Sequence, residues 1–201
     1  MWPEIRTLCT GLTQGFYLIP LERKKTLTAL AQYVASKKGQ DVNLIFICTH
    51  NSRRSHFGQI WAKVAAEFYA VPNIHTFSGG TEATAFHENA RKALIDLGFK
   101  ISTKEQGSNP VYHVQYGEQN ETTCFSKVYS HPQNPQQHFA AVLTCSDAEQ
   151  NCPFIPGAEQ RIATTYTDPK AFDGTAQASE KYRERCLQIA TELLYTFSIL
   201  R

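Results

Sequence analysis

The chain has little cysteine, little net charge and no long apolar run, and each scarcity excludes a class of protein. Six cysteines among 201 residues are too sparse for a disulfide scaffold. Reduced, partly reactive thiols in a cytoplasmic protein are the expectation. A formal net charge of +2 with no dense Lys/Arg run offers no electrostatic tract for nucleic acid. No apolar stretch approaches a membrane span, so no membrane partner is expected. The N-terminus carries Glu4 and Arg6 without an apolar core or cleavage site, so no secretory signal is read. The seven histidines, His113, His131 and His138 among them, fit no ligand spacing, and neither a metal nor another cofactor is expected. One domain with an appendage remains, long enough to bury most of a real core.

What is present centres on residues 42–68. Val42-Asn-Leu-Ile-Phe-Ile is a short continuous apolar segment, suited to one buried strand. Phe57, Ile60, Trp61, Val64, Ala65 and Phe68 recur at helical spacing and form one stripe. Between them stands Cys48-Thr-His-Asn-Ser-Arg-Arg54-Ser55. A strand that enters a tight polar loop and then a helix makes an anion site from loop N–H groups and the helix's positive end. Cys48 at that end is a candidate nucleophile. Arg54 offers a planar fork for two oxygens of a tetrahedral oxyanion. Ser55 can hydrogen-bond the sulfur, and Asn51 tolerates a left-handed backbone in a loop without glycine. Thr49, His50, Asn51, Ser52, Arg53 and Arg54 are the candidate oxyanion-binding residues.

Around that stretch the chain alternates. Residues 1–40 read as a helical extension interrupted at Pro20, with Leu27, Leu30, Ala31 and Val34 on one face and Gly39 as a stop. Cys9 lies there in a packing role. Ile74–Phe77 is a short strand ending at Ser78-Gly-Gly80, and Ala90, Ala93, Leu94 and Leu97 mark a helix stopped by Gly98. Val111–Tyr116 and Cys124–Tyr129, around a polar turn, suggest a β-hairpin inside an insertion at 102–137. Phe139–Thr144 and Arg161–Tyr166 are the third and fourth strands. The last helix starts near a Thr175 cap and carries Tyr182, Cys186, Ile189, Leu193 and Phe197 on one stripe. Alternating strands and helices call for a parallel sheet with helices on its faces. In such a sheet ligands sit beyond the carboxyl ends of the strands.

Two further features lie near those ends. Cys145 and Cys152 are seven apart; they allow a disulfide if the segment between them brings their Cα atoms within about 7 Å. The spacing fits two reduced thiols at a strand end at least as well. Asp168, held extended by Pro169, is either a general acid facing the loop or a simple turn residue.

The loop Cys48–Ser55, together with Asp168-Pro169, resembles the low-molecular-weight protein tyrosine phosphatase superfamily. Within it, Cys145-Ser-Asp-Ala-Glu-Gln-Asn-Cys152-Pro is similar to the redox segment of the thioredoxin-coupled arsenate reductases. Ser78-Gly-Gly80 stands where the superfamily has Ser-Ala-Gly. The resemblance implies an α/β three-layer fold with a four-stranded parallel sheet flanked by helices, to which this chain's own pattern adds an inserted β-hairpin and a helical N-terminal extension. Residues 41–201 would form the phosphatase-like domain. It implies that Cys48 attacks arsenate held by the loop and Arg54 while Asp168 protonates the departing oxygen. Cys145 would then attack Cys48, Cys152 would attack Cys145, and thioredoxin would reduce the Cys145–Cys152 disulfide. A phosphatase acting on phosphotyrosine or small phosphoesters is the alternative and needs only the first half. An idle oxyanion-binding protein is a third reading. The chain departs from the pattern where His50 replaces a usual glycine, Arg53 a second loop cysteine, and the hairpin insertion a compact region. Gln59 also replaces a frequent acidic residue, which speaks against dependence on a potassium ion.

Overall fold

The structure, a computed structural model, describes residues 1–151 and 154–201. Four parallel strands form the central sheet in the order β2-β1-β6-β7, with β1 Val42–Cys48, β2 Ile74–Gly80, β6 Phe139–Leu143 and β7 Ala158–Ala163. The two central strands are buried almost throughout, which is why they read as unbroken apolar runs and not as alternations. The fourth strand begins three residues before the expected Arg161. Its bonding to β6 continues irregularly past its end, where Tyr166 N–H donates to the Thr144 carbonyl at 3.1 Å.

The two faces of the sheet are covered unequally. Leu44 and Phe46 face a large core with Trp61 and Ile60 of α3 (Arg54–Phe68), Leu94 of α4 (Glu88–Ile95) and Phe197 of α6 (Ala178–Ser198). Ile45 and Ile47 face a small second cluster with Leu143, Cys145, Ala148 and Ile155. That cluster is closed by the six-residue α5 (Ser146–Asn151). Burying each large aliphatic or aromatic side chain stabilises by about 1.5–3 kcal/mol, so the first face dominates the fold. Gly58 lets α3 lie on Phe46, since a Cβ there would meet that ring.

Residues 1–40 pack into the same large core. Ile5 and Cys9 of α1 (Pro3–Thr13) and Leu30 and Tyr33 of α2 (Leu21–Ser36) belong to it. Trp2 N–H donates to the Tyr116 carbonyl at 2.8 Å, and the Met1 ammonium to Asn120 Oδ1 at 2.7 Å. Helix α2 stops through Lys38 and Gly39, both at positive φ, as the glycine led us to expect.

The insertion holds the expected hairpin, β4 Tyr112–Gln115 paired with β5 Glu121–Cys124, and β3 Lys100–Ser102 joins it as a third antiparallel strand. Its second strand starts at Glu121 and not at Cys124. Tyr116 N–H closes the turn on the Asn120 carbonyl at 2.9 Å, so the pairing begins at once. Residues 125–129 then leave the hairpin, and Val128 bridges Gly80 at the end of β2. The final helix starts at Ala178, after a turn in which Thr175 Oγ1 accepts from Gln177 N–H.

Candidate active site

Cys48 ends β1, and α3 begins at Arg54. The turn between them passes through Asn51 at φ +44°, the left-handed conformation that asparagine tolerates. The loop carbonyls are tied outward. Thr49 O accepts from Glu82 N–H at 2.8 Å, His50 O from Ser126 Oγ at 3.0 Å and Thr84 Oγ1 at 3.1 Å, and Ser52 O from His87 N–H at 3.0 Å. Backbone N–H groups of residues 49–53 have no partner among the described residues. Carbonyls bonded away and amides left free, at the start of a helix, make an anion-binding nest.

Gly80 permits this closure. A Cβ there would sit 2.6 Å from Thr49 O and 2.7 Å from Asn51 N. The Ser78-Gly79-Gly80 segment noted in the sequence therefore backs the loop.

Cys48, the candidate nucleophile, and its neighbours form one chain of contacts. Ser55 Oγ lies 3.1 Å from Cys48 Sγ and accepts from Asn51 Nδ2 at 2.8 Å. Because that oxygen already receives an N–H, its own hydrogen is available to the sulfur. Asn51 Oδ1 accepts from Lys127 N–H at 2.8 Å, so the 125–129 segment fixes the asparagine. Arg54 donates from Nη1 to Tyr166 O at 2.7 Å and from Nη2 to Asp168 Oδ2 at 2.5 Å. Its buried Nε has no partner among the described residues. Asp168 is thus set against the arginine fork, while its Oδ1 accepts from Lys170 N–H and caps a short 3₁₀ turn.

Arg53 is held elsewhere. Its guanidinium donates to Tyr182 OH at 2.6 Å and to Asp173 Oδ2 at 3.0 Å, with Asp168 Oδ1 at 4.0 Å. It clamps the 168–173 segment and α6 to the loop. His50 is partly exposed, 3.7 Å from Glu82. Ser52 Oγ donates to the Ala85 carbonyl. Helix α3 also carries His56, fully buried beside Ser78 Oγ and tilted against the Phe86 ring. Burial, assisted by the charge of Lys127, holds its protonation well below the usual histidine range.

Cys145 stands on the neighbouring strand end. Pairing of Ile47 with Leu143 puts the two exits side by side. Cys145 Sγ lies 3.5 Å from Thr49 Oγ1 and accepts from Ala148 N–H at 3.4 Å. Cys152 falls outside the described residues. Cys186, expected to pack, is buried in the core and accepts from Trp61 Nε1; burial pushes its thiol up to about 12, as it does for Cys9. Ser126, Lys127, Tyr182 and Asp173 were not visible as site residues in the sequence. They reach the loop from 76 to 129 positions away, with no local pattern to betray them.

No protein-family model matches the chain. Among solved structures it is similar to a low-molecular-weight phosphotyrosine phosphatase from Vibrio cholerae, with a TM-score of 0.53 and 17% identity over 77% of this chain and 93% of that one. An arsenate reductase in the phosphate binding state superposes with a TM-score of 0.51 and 16% identity, over 80% and 99% of the two chains. The chain has the low-molecular-weight phosphatase fold. In sequence it is similar to the arsenate reductase of Halalkalibacterium halodurans, 27% identical over 66% of this chain and 77% of the relative. That of Bacillus subtilis is 26% identical over 71% and 84%. The resemblance to this fold and to arsenate reductases, expected from the cysteine loop and redox segment, is borne out by these similarities, and both sets of relatives are enzymes. No helix among the described residues is long and apolar enough to cross a membrane.

Proposed function

We propose that this protein reduces arsenate to arsenite in the cytoplasm through a cascade of three cysteines, with thioredoxin as the reductant. The observation that carries this reading is a second thiol pressed against the catalytic loop. Cys145 Sγ lies 3.5 Å from Thr49 Oγ1, one residue from the nucleophile, and both Cys48 and Cys145 are buried. Hydrolysis has no use for it. The similarity to arsenate reductases supports the same choice.

In the proposed cycle the loop amides and Arg54 hold the oxyanion, and the Cys48 thiolate attacks arsenic. Asp168, hydrogen-bonded to Arg54, gives a proton to the oxygen that leaves as water. Cys145 attacks Cys48 Sγ, the As–S bond breaks, and its electron pair reduces As(V) to As(III), which departs as arsenite. Cys152 attacks Cys145 and frees the Cys48 thiolate. A dithiol reductant, thioredoxin, takes up the Cys145–Cys152 disulfide. A second reading, a phosphatase for phosphotyrosine or small phosphoesters, is favoured by the self-contained set Cys48, Ser55, Arg54 and Asp168.

Trapping thiols separates the two. Reduced protein is mixed with one equivalent of arsenate without thioredoxin, alkylated, and mapped by mass spectrometry. The proposal expects a Cys145–Cys152 disulfide and one equivalent of arsenite. All thiols left free, with efficient aryl-phosphate hydrolysis, would replace it by the phosphatase.

A further inference from the structure

Behind the catalytic loop lies a cavity of about 230 Å³ lined by Gln59, Thr76, Thr122, Phe125, Lys127 and Gln133, with Phe77 and Thr123 completing the wall. Lys127 is only 5% exposed and Gln59 3%. The Lys127 ammonium has no hydrogen-bond or ion-pair partner among the described residues and rests 4.4 Å from the centre of the Phe125 ring. Its titratable neighbours give it no counter-charge. Burial pushes the Cys124 thiol up to about 12, and His56 is held far below the usual histidine range, so both are neutral near pH 7. A buried ammonium without an anion is costly. Burial accordingly brings Lys127 down to about 8.

The polar groups around this charge are mostly donors. Thr122 Oγ1 already accepts from Gln59 Nε2 at 3.0 Å, so its own hydrogen is free. Thr76 adds a second hydroxyl and Gln133 an amide. Gln59 Oε1 is a buried acceptor without a partner, suited to a bound water or a protonated oxyanion. The cavity has room for a small anion with a few waters, each of which takes about 30 Å³.

We propose that this cavity is a binding site for a small monovalent anion, held by the Lys127 ammonium and the Thr122 and Thr76 hydroxyls. One cation lines the cavity, so one negative charge is neutralised there. A doubly charged arsenate or phosphate would leave a buried excess, whereas the catalytic loop offers Arg54 and a helix end. The two sites therefore select different anions. The cavity is also tied to the loop's framework, because Lys127 N–H holds Asn51 Oδ1 and Lys127 O accepts from Gly80 N–H at 2.9 Å. The proposal does not depend on which reaction the loop performs.

Bromide is the probe, titrated into the full chain in halide-free buffer while the Lys127 Cε and Nζ resonances are followed by NMR. Crystals from the same series are read for anomalous scattering. A saturable shift, with a bromide peak beside Lys127 Nζ, is the expected result. Lys127→Met removes a costly charge, keeps the backbone N–H that holds Asn51 and should fold; it should weaken bromide binding at least about tenfold. Thr122→Val should weaken it by a smaller factor. Resonances that drift linearly with salt, or bromide found only in the catalytic loop or at the surface, overturn the proposal. So would bromide binding undiminished in Lys127→Met.

Discussion

Strands β1 and β6 lie side by side and each delivers a cysteine to the same edge of the sheet, but the exits are built differently. After Cys48 the carbonyls of Thr49, His50 and Ser52 are bonded to Glu82, Thr84, His87 and Ser126, from two other segments. After Cys145 comes a six-residue helix in which only Ala148 is buried among the first five residues, anchored by Arg161 donating to the Glu149 carbonyl. Dense cross-bonding fixes donors for a charge of known shape. A short helix with little buried apolar surface is the kind of element that opens at low cost. A loop that binds an oxyanion must hold still. A thiol that passes a disulfide along must travel. In the proposed cycle the neighbouring exits divide these two requirements.

The comparison can be broken most severely at Cys48. Cys48→Ser should cost at least about 10⁴-fold in turnover of arsenate and of aryl phosphate alike, read by arsenite release and by hydrolysis. Activity within tenfold of wild type for either substrate would show that the β1 exit is not the reacting one. Cys145→Ser sharpens the contrast, because it should abolish arsenite release while leaving aryl-phosphate hydrolysis and phosphate binding in place. Loss of phosphate binding in that variant would mean that the two exits are one rigid unit.

Gly80→Ala tests the rigid side by intrusion, since the added methyl meets Thr49 O and Asn51 N. About 1–3 kcal/mol of overpacking should weaken phosphate binding in a calorimetric titration, with secondary structure retained. The smallest effect is expected away from both exits, at Glu159 on β7. It accepts from Tyr33 OH at 2.8 Å and from Lys37 and His138. Lys37 first, then Tyr33, bring its carboxyl down to about 2 from 4.5. A depressed carboxylate stabilises the fold above its unfolded value and loses that contribution as pH falls from about 4.5 towards 2. Urea midpoints of wild type and Glu159→Gln should therefore differ at pH 6 and converge in that acid window, with phosphate affinity at pH 6 unchanged.

Much of this was legible in the chain itself. Continuous apolar runs at 42–48 and 139–143 gave buried parallel strands, and the stripe from Phe57 to Phe68 gave α3. Cys48, Ser55, Arg54 and Asn51 lie within eight residues of one another, so strand, turn and helix alone bring them together. The hairpin boundary was missed because aromatic content at 124–129 mimics a strand, whereas the turn at 116–120 sets the pairing and Val128 leaves for Gly80.

Local periodicity and turn chemistry thus determined the sheet, the loop and the place of Cys48 in it, because those depend on neighbours in sequence. Only the tertiary structure decided what surrounds them. It set the Arg53 guanidinium as a clamp on Tyr182 and Asp173, placed Asp168 on Arg54, and brought Cys145 to Thr49. It also buried Lys127 behind Asn51 without a counter-charge among the described residues. The physical reason is the same in each case: a side chain's charge, burial and partner are set by whichever distant segment packs against it, and a pattern of near neighbours carries no trace of that segment.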